Sequence, residues 1–185
     1  WQGARDHYTT ALQLAANLPP HQQAAVEVNL ARTHVLLADL LRTLAQDDSA
    51  IGTLQITQVE QLASTLLTAA LTHQPDPLTR GALAENLAHM AFRQGDYHNA
   101  SKALRTALDA YYDAGYLAGA ETCYRVLGMV SLRQADQGAD PQGTDTALQQ
   151  LLTSQLLSEI LRERLAADQS GVTRAGFFAR RAQVG

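Results

Sequence analysis

The sequence predicts an all-α protein, an array of antiparallel helix pairs, on three observations. Proline, glycine and Asp/Ser/Thr clusters recur at helix-length intervals, and the pieces between them are rich in Ala, Leu, Gln and Arg, which favour helix. Within those pieces apolar residues recur at three- and four-residue steps. No stretch alternates with the two-residue period of a strand.

The first helix is expected over about Ala4 to Leu18, stopped by Pro19-Pro20, where the second proline is suited to open the next helix. That second helix is expected over His21 to Ala45. Gln46-Asp47-Asp48-Ser49 and Gly52 mark a loop, and Thr57-Gln58-Val59-Glu60 has the spacing of a capping box that would start a helix over Gln58 to Thr72. Asp76-Pro77 reads as N-cap and first helical residue of a helix that Gly95 stops. Asp96 caps the next, which runs to about Ala114 and is cut off by Gly115.

From Tyr116 to Gln134, a broad apolar face is formed by Leu117, Ala120, Cys123, Tyr124, Leu127, Val130 and Leu132. Asp136 to Thr144 reads as a loop. Thr146 to Ala167 then makes a last long helix, and residues 168–185 are either a short helix carrying Phe177 and Phe178 or the start of a following element.

Composition narrows the function classes. With 185 residues and 46% hydrophobic content the chain has enough apolar surface for a real core. A net charge of -4 gives no overall attraction to a polyanion, so no nucleic-acid partner is expected through this segment. The longest apolar runs, such as Val35 to Leu41, are broken by charge, so no membrane span is expected. Cys123 is the only cysteine, which rules out an internal disulfide or a multi-cysteine zinc site and fits a reducing cytoplasm. The opening Trp1 suggests a domain cut from a longer protein.

From Leu83 to Leu108 the chain combines Leu87-Ala88, the turn Gly95-Asp96-Tyr97, and Ala100, Leu104, Ala107 and Leu108. This resembles a tetratricopeptide repeat, in which small residues let two helices approach and large ones fill the sides. Leu127-Gly128 repeats the family's Leu-Gly pair 40 residues after Leu87, a longer period than the usual ~34 and similar to arrays in bacterial regulatory and signalling proteins. The resemblance is closest over residues 81–132. Leu30-Ala31 with Ala63, Leu67, Ala70, Leu71 and Pro75 gives a looser match over residues 24–75.

The resemblance implies a right-handed α-α superhelix of antiparallel helix pairs. Residues 4–18, with Ala4, Tyr8, Ala11 and Leu12, would be the second helix of a truncated repeat; 21–75 a repeat with a long internal loop; 77–114 the best-matching repeat; and 116–167 a divergent one. In this family the first helices line a concave groove, which the resemblance would line with Val28, Arg32, Glu85, His89, Arg93, Arg125, Met129 and Arg133. Four guanidinium groups there would favour an acidic peptide or protein segment. The family's chaperone-tail clamp is matched only at Asn29 and Asn86, so that ligand is not expected.

Other classes are weaker. The six histidines show no metal-ligand spacing, and no phosphate loop or nucleophile elbow is present, so no catalytic residue, cofactor or metal is expected. The expected role is a peptide- or protein-binding module, the interaction or sensor part of a larger regulator. A structural array that self-associates, as a homodimer, is the alternative.

Overall fold

The computed structural model describes the backbone of residues 2–44, 49–138 and 142–182, and the side chains of residues 7–44, 53–138 and 142–167. Among the described residues all regular structure is helical: α1 (Gln2–Ala15), α2 (Pro20–Leu44), α3 (Ser49–Thr72), α4 (Pro77–Arg93), α5 (Tyr97–Asp113), α6 (Leu117–Asp136) and α7 (Gly143–Ala182).

Several helix ends lie where local chemistry puts them. Asp76 accepts from the Thr79 N–H at 3.0 Å and Asp96 from the Asn99 N–H at 3.1 Å, each satisfying a first-turn amide that has no partner inside its helix. Gly95 and Gly115 adopt positive φ of 76° and 65°. The following N–H groups, of Asp96 and Tyr116, fold back onto the carbonyls of Ala91 at 2.9 Å and Tyr111 at 2.8 Å, which closes α4 and α5 in the same way. α1 stops at Ala15 rather than Leu18 because the chain tightens there. The Leu18 N–H donates to the Ala15 carbonyl at 2.9 Å, and the Gln23 side chain of α2 donates to the Leu18 carbonyl at 2.7 Å.

The expected loop and capping box before residue 58 are overturned. α3 already begins at Ser49, and Thr57 lies inside it with its hydroxyl donating to the Thr53 carbonyl at 2.9 Å. Glu60 does not reach back to cap; it accepts from Arg42 of α2. The same Thr-x-x-Glu spacing serves a helix interior once the preceding residues are themselves helical. Of the expected loop, Gln46, Asp47 and Asp48 lie outside the described residues.

The loop expected over Asp136 to Thr144 is also shorter, since Asp136 ends α6 and Gly143 opens α7. Residues 139–141 lie outside the described residues. α7 continues through residue 182, so the backbone of the tail is helix, while residues 183–185 and the side chains of Phe177 and Phe178 lie outside the described residues.

α2 packs along α3, α4 along α5 and α6 along α7, and short connections make each pair antiparallel. Pairs join through their first helices, α2 to α4 and α4 to α6, and through α3 to α4 and α5 to α6; α1 rests on α2. Among the described residues α3, α5 and α7 do not touch one another. First helices therefore meet in series, α4 and α6 only narrowly, while among the described residues the second helices do not meet.

Two apolar clusters hold this arrangement. One joins Ala24, Val28 and Ala31 of α2 to Ala63 and Leu67 of α3 and to Leu83 and Met90 of α4. The other joins Ala84 and Ala88 of α4 to Ala100 and Leu104 of α5 and to Cys123 and Val126 of α6. α4 thus contributes to both, one side of it to each, and so ties neighbouring pairs together. Ala88 and Ala100 have no exposed surface, so the small residues do set the α4–α5 spacing.

Leu87, expected to fill that core, is instead 36% exposed. It lies on the arc of α4 between its two buried sides, where α3 and α5 do not meet and so leave the space behind it open. On the other side of α4, Tyr111 of α5 fills the space between helices, its ring lying 2.5 Å from where a Cβ would sit on Gly81 of α4 and also on Gly119 of α6. Gly128 serves the α6–α7 contact similarly, because its absent Cβ would meet Leu151 at 2.6 Å.

Candidate interaction face

The row of first helices presents three neighbouring stripes. On α2, Asn29, Arg32, Leu36 and Leu40 are exposed at three- and four-residue steps. On α4, Glu85, His89 and Arg93 follow at four-residue steps and are half-buried, because α4 is flanked by α2 and α6. On α6, Arg125, Met129, Leu132 and Arg133 are exposed. Val28, expected near this face, is buried in the core instead, and so is Asn86.

Glu85 is the electrostatic centre of the face. Its carboxylate accepts from the Tyr111 hydroxyl at 2.5 Å and lies 3.7 Å from His89 Nε2. Burial alone would raise its pKa. The close approach of His89, the hydrogen bond from Tyr111 and the charge of Arg32 on α2 outweigh burial and hold it below the usual glutamate value. Tyr111 responds in the opposite sense, since burial first and the bond to Glu85 second push its phenol far above the ordinary range.

The other helix pairs carry a comparable tie. Glu27 of α2 lies 3.4 Å from His73 Nε2 of α3, and Glu121 of α6 accepts from the Ser154 hydroxyl of α7 at 2.8 Å. Glu27 is the least well satisfied: Oε2 is buried without a partner, and burial, only partly offset by His73, raises its pKa. None of these cross-helix ties was foreseen from sequence, where each appears as one polar residue among many on a helix.

The four arginines divide by environment. Arg93 pairs with Asp39 of α2 and donates to the Val35 carbonyl at 3.2 Å, with only 15% of its side chain exposed, so it fastens α4 to α2. Arg125 Nε lies 3.9 Å from Glu121 and Arg133 3.9 Å from Asp136, loose pairs of the kind that contribute little. Arg32 is exposed, with its charge felt at Glu85. The face therefore offers cations from Arg32, Arg125 and Arg133, and apolar surface from Leu36, Leu40, Met129 and Leu132. The leucines on α2 carry a four-residue spacing that reads equally well as core, which hid them in the sequence.

Cys123 lies under this face with no exposed surface. Burial first, and then the charges of Glu85 and Glu121, push its thiol up to about 12, which keeps it protonated and unreactive. Among the described residues no group of three or more His, Cys, Asp or Glu is placed to hold a metal ion. Among the described residues no helix is long and apolar enough to cross a membrane. Compared with protein-family models, with curated proteins and with solved structures, the chain matches none.

Proposed function

We propose that the chain is a partner-holding helical-repeat module, a right-handed superhelix of the tetratricopeptide kind, whose row of first helices takes an extended protein or peptide segment. The observation that carries this reading is the packing asymmetry: among the described residues α2, α4 and α6 touch in series while α3, α5 and α7 stand apart, which favours a slab bent toward the first helices. A face bent in that way is concave, and a concave face with separated polar and apolar groups suits a peptide.

The chemistry of the ligand follows from the exposed groups that are at most loosely paired. Arg32, Arg125 and Arg133 favour carboxylates, while Leu36, Leu40, Met129 and Leu132 favour apolar anchors. The expected ligand is thus an acidic segment with interspersed large apolar residues. Arg93 is assigned to structure rather than to the ligand.

The test is selection from a random peptide display library, followed by titration of the selected peptides against Arg32→Ala, Arg125→Ala and Met129→Ala. A tenfold or larger loss in at least one of these, with Arg105→Ala on the far side of α5 unchanged, supports the reading. Equal binding by all four proteins sinks it. By its fold and period such a module would serve as the sensing or interaction part of a larger cytoplasmic regulator. A second reading, an array that self-associates, draws on the exposed leucines Leu148, Leu152 and Leu156 of α7.

A further inference from the structure

The junctions between successive helix pairs provide a comparison internal to the chain. Ala63 of α3 and Ala100 of α5 have no exposed surface and sit at corresponding places, and buried Ala88 of α4 corresponds to buried Gly128 of α6. Counted from these, Leu71 of α3 corresponds to Leu108 of α5, and Leu87 of α4 to Leu127 of α6. At the α5–α6 junction Leu108 and Leu127 are buried in one apolar cluster. At the α1–α2 junction the matching leucines, Leu12 and Leu30, are half-buried against the other cluster. At the α3–α4 junction Leu71 is 55% and Leu87 36% exposed, and α3 meets α4 more narrowly than α5 meets α6. The same apolar positions thus recur at three junctions and are uncovered at the middle one.

The turn explains the opening. After α5, Gly115 takes the left-handed conformation and the Tyr116 N–H folds back onto the Tyr111 carbonyl, which fixes the direction in which α6 departs. After α3 the left-handed residue is Gln74, with φ 48°, a conformation that is strained for a residue with a side chain. Pro75 follows it and has no N–H to return to the Ala70 carbonyl. That carbonyl takes the His73 N–H at 3.2 Å instead. The α3–α4 turn therefore holds a strained residue and lacks the bond that sets the α5–α6 geometry. The units on either side are firm. Glu27 and His73 tie the end of α3 to α2, and Tyr111 seals α4, α5 and α6 together. Across the junction the polar fastening is on the front, where Arg93 holds Asp39 and the Val35 carbonyl.

We propose that the α3–α4 junction is a hinge, the observed open arrangement exchanging with a closed one in which Leu71 and Leu87 are buried together as Leu108 and Leu127 are. What covers the two leucines is thus each other, on the pattern the next junction already shows. Taking both out of water favours closing. The strained turn at Gln74-Pro75 and the front fastening through Arg93 oppose it, which leaves two arrangements of similar free energy. Because the fastening lies on the front, it acts as the axis. Closing the back turns α2 with α3 about that line and swings Arg32 and Leu36 away from the stripe on α6. If the proposed ligand site also holds, on which this one step rests, a segment lying across α2 and α6 favours the open arrangement, which is the response a sensor requires.

Spin-label distances in the 185-residue chain test the hinge without a ligand, so a failure here leaves the proposed ligand site untouched. Thr68, Arg105 and Leu152, each five residues after a buried alanine of α3, α5 and α7, are exposed, and Cys123 is buried and does not compete for label. With Thr68→Cys and Arg105→Cys, pulsed electron paramagnetic resonance should resolve a longer and a shorter distance. With Arg105→Cys and Leu152→Cys it should resolve one. Leu71→Gln and Leu87→Gln should each reduce the shorter population at least threefold with helical circular dichroism unchanged. Gln74→Gly combined with Pro75→Ala, which lets the turn close as Gly115-Tyr116 does, should raise the ratio of short to long at least threefold. A single distance between Thr68 and Arg105, two distances indifferent to both leucine changes, an unchanged ratio in the turn variant, or an equal spread between Arg105 and Leu152 overturns the proposal.

Discussion

The Tyr111 hydroxyl donates to Glu85 at 2.5 Å, joining α5 to α4 at the point where the Tyr111 ring fills the space left by Gly81 and Gly119. One side chain therefore seals three helices. Tyr111→Phe keeps the ring and loses a hydrogen bond to a charged group, so unfolding free energy should fall by about 1.5–3 kcal/mol. Gly119→Ala should cost about 1–2 kcal/mol net. Overpacking against a ring that Gly81 confines from the other side outweighs the alanine's better helix propensity. Urea denaturation of the two variants and of their combination checks both values, and the combined loss should depart from the sum because the two share the ring.

Glu85 and Glu27 should answer pH in opposite senses. Glu85 is held below its unfolded value of about 4.3, so its contribution is present above that value and disappears as pH falls through its folded pKa. Glu85→Gln should therefore destabilise at pH 7 and match the parent under strongly acidic conditions. Glu27 is raised by burial, so what it contributes below about 4.3 is lost as pH rises through its folded pKa. Glu27→Gln should gain stability over the parent at pH 7 and lose that advantage in acid. Denaturation midpoints at pH 3, 5 and 7 read both signs.

Cys123 offers a built-in probe of opening. A thiol without exposed surface and pushed up to about 12 should not react with an aromatic disulfide reagent at pH 8 while the chain is folded. Reaction should appear only with urea, along the same curve as helix loss. Fast labelling of the folded chain would show that α6 opens locally.

Much of the fold was readable because it is encoded over short distances. Asp76-Pro77, Gly95-Asp96 and Gly115 need only their own neighbours to end and start helices, and all three do so. Ala88 and Ala100 are read from size alone. What escaped depends on contacts between elements. Thr57-Glu60 was misread because its local pattern fits two settings, and only Arg42 on another helix decides between them. Leu87 was misplaced because the gap between α3 and α5 is a property of the whole stack. For the face, Arg32 and Arg125 carry the same spacing as Arg93, and nothing local shows that Asp39 holds one of the three.

That difference among the arginines is measurable without a ligand. Arg93→Ala removes a pair to Asp39 and a bond to the Val35 carbonyl across α2–α4, with most of the side chain buried, and should cost about 2 kcal/mol. Arg32→Ala and Arg125→Ala, on exposed groups, should stay within about 0.5 kcal/mol of the parent. Equal losses in all three would mean that the exposed arginines also serve packing.

Gly128 gives the sharpest test of the repeat itself. At the corresponding position of the preceding pair stands Ala88, whose Cβ is accommodated with no exposed surface. At Gly128 a Cβ would come within 2.6 Å of Leu151 and 3.3 Å of the Ala147 carbonyl oxygen. The leucine could turn aside, but the backbone oxygen belongs to α7 and moves only with the helix. Gly128→Ala should therefore lower unfolding free energy by about 2–3 kcal/mol despite the gain in helix propensity. If α6 and α7 approach as closely as the geometry indicates, adding Leu151→Val should recover part of that loss, whereas Leu151→Val alone should destabilise. A neutral Gly128→Ala would mean that the last pair packs more loosely than the α4–α5 pair, and that the Leu-Gly signature there is a coincidence of composition.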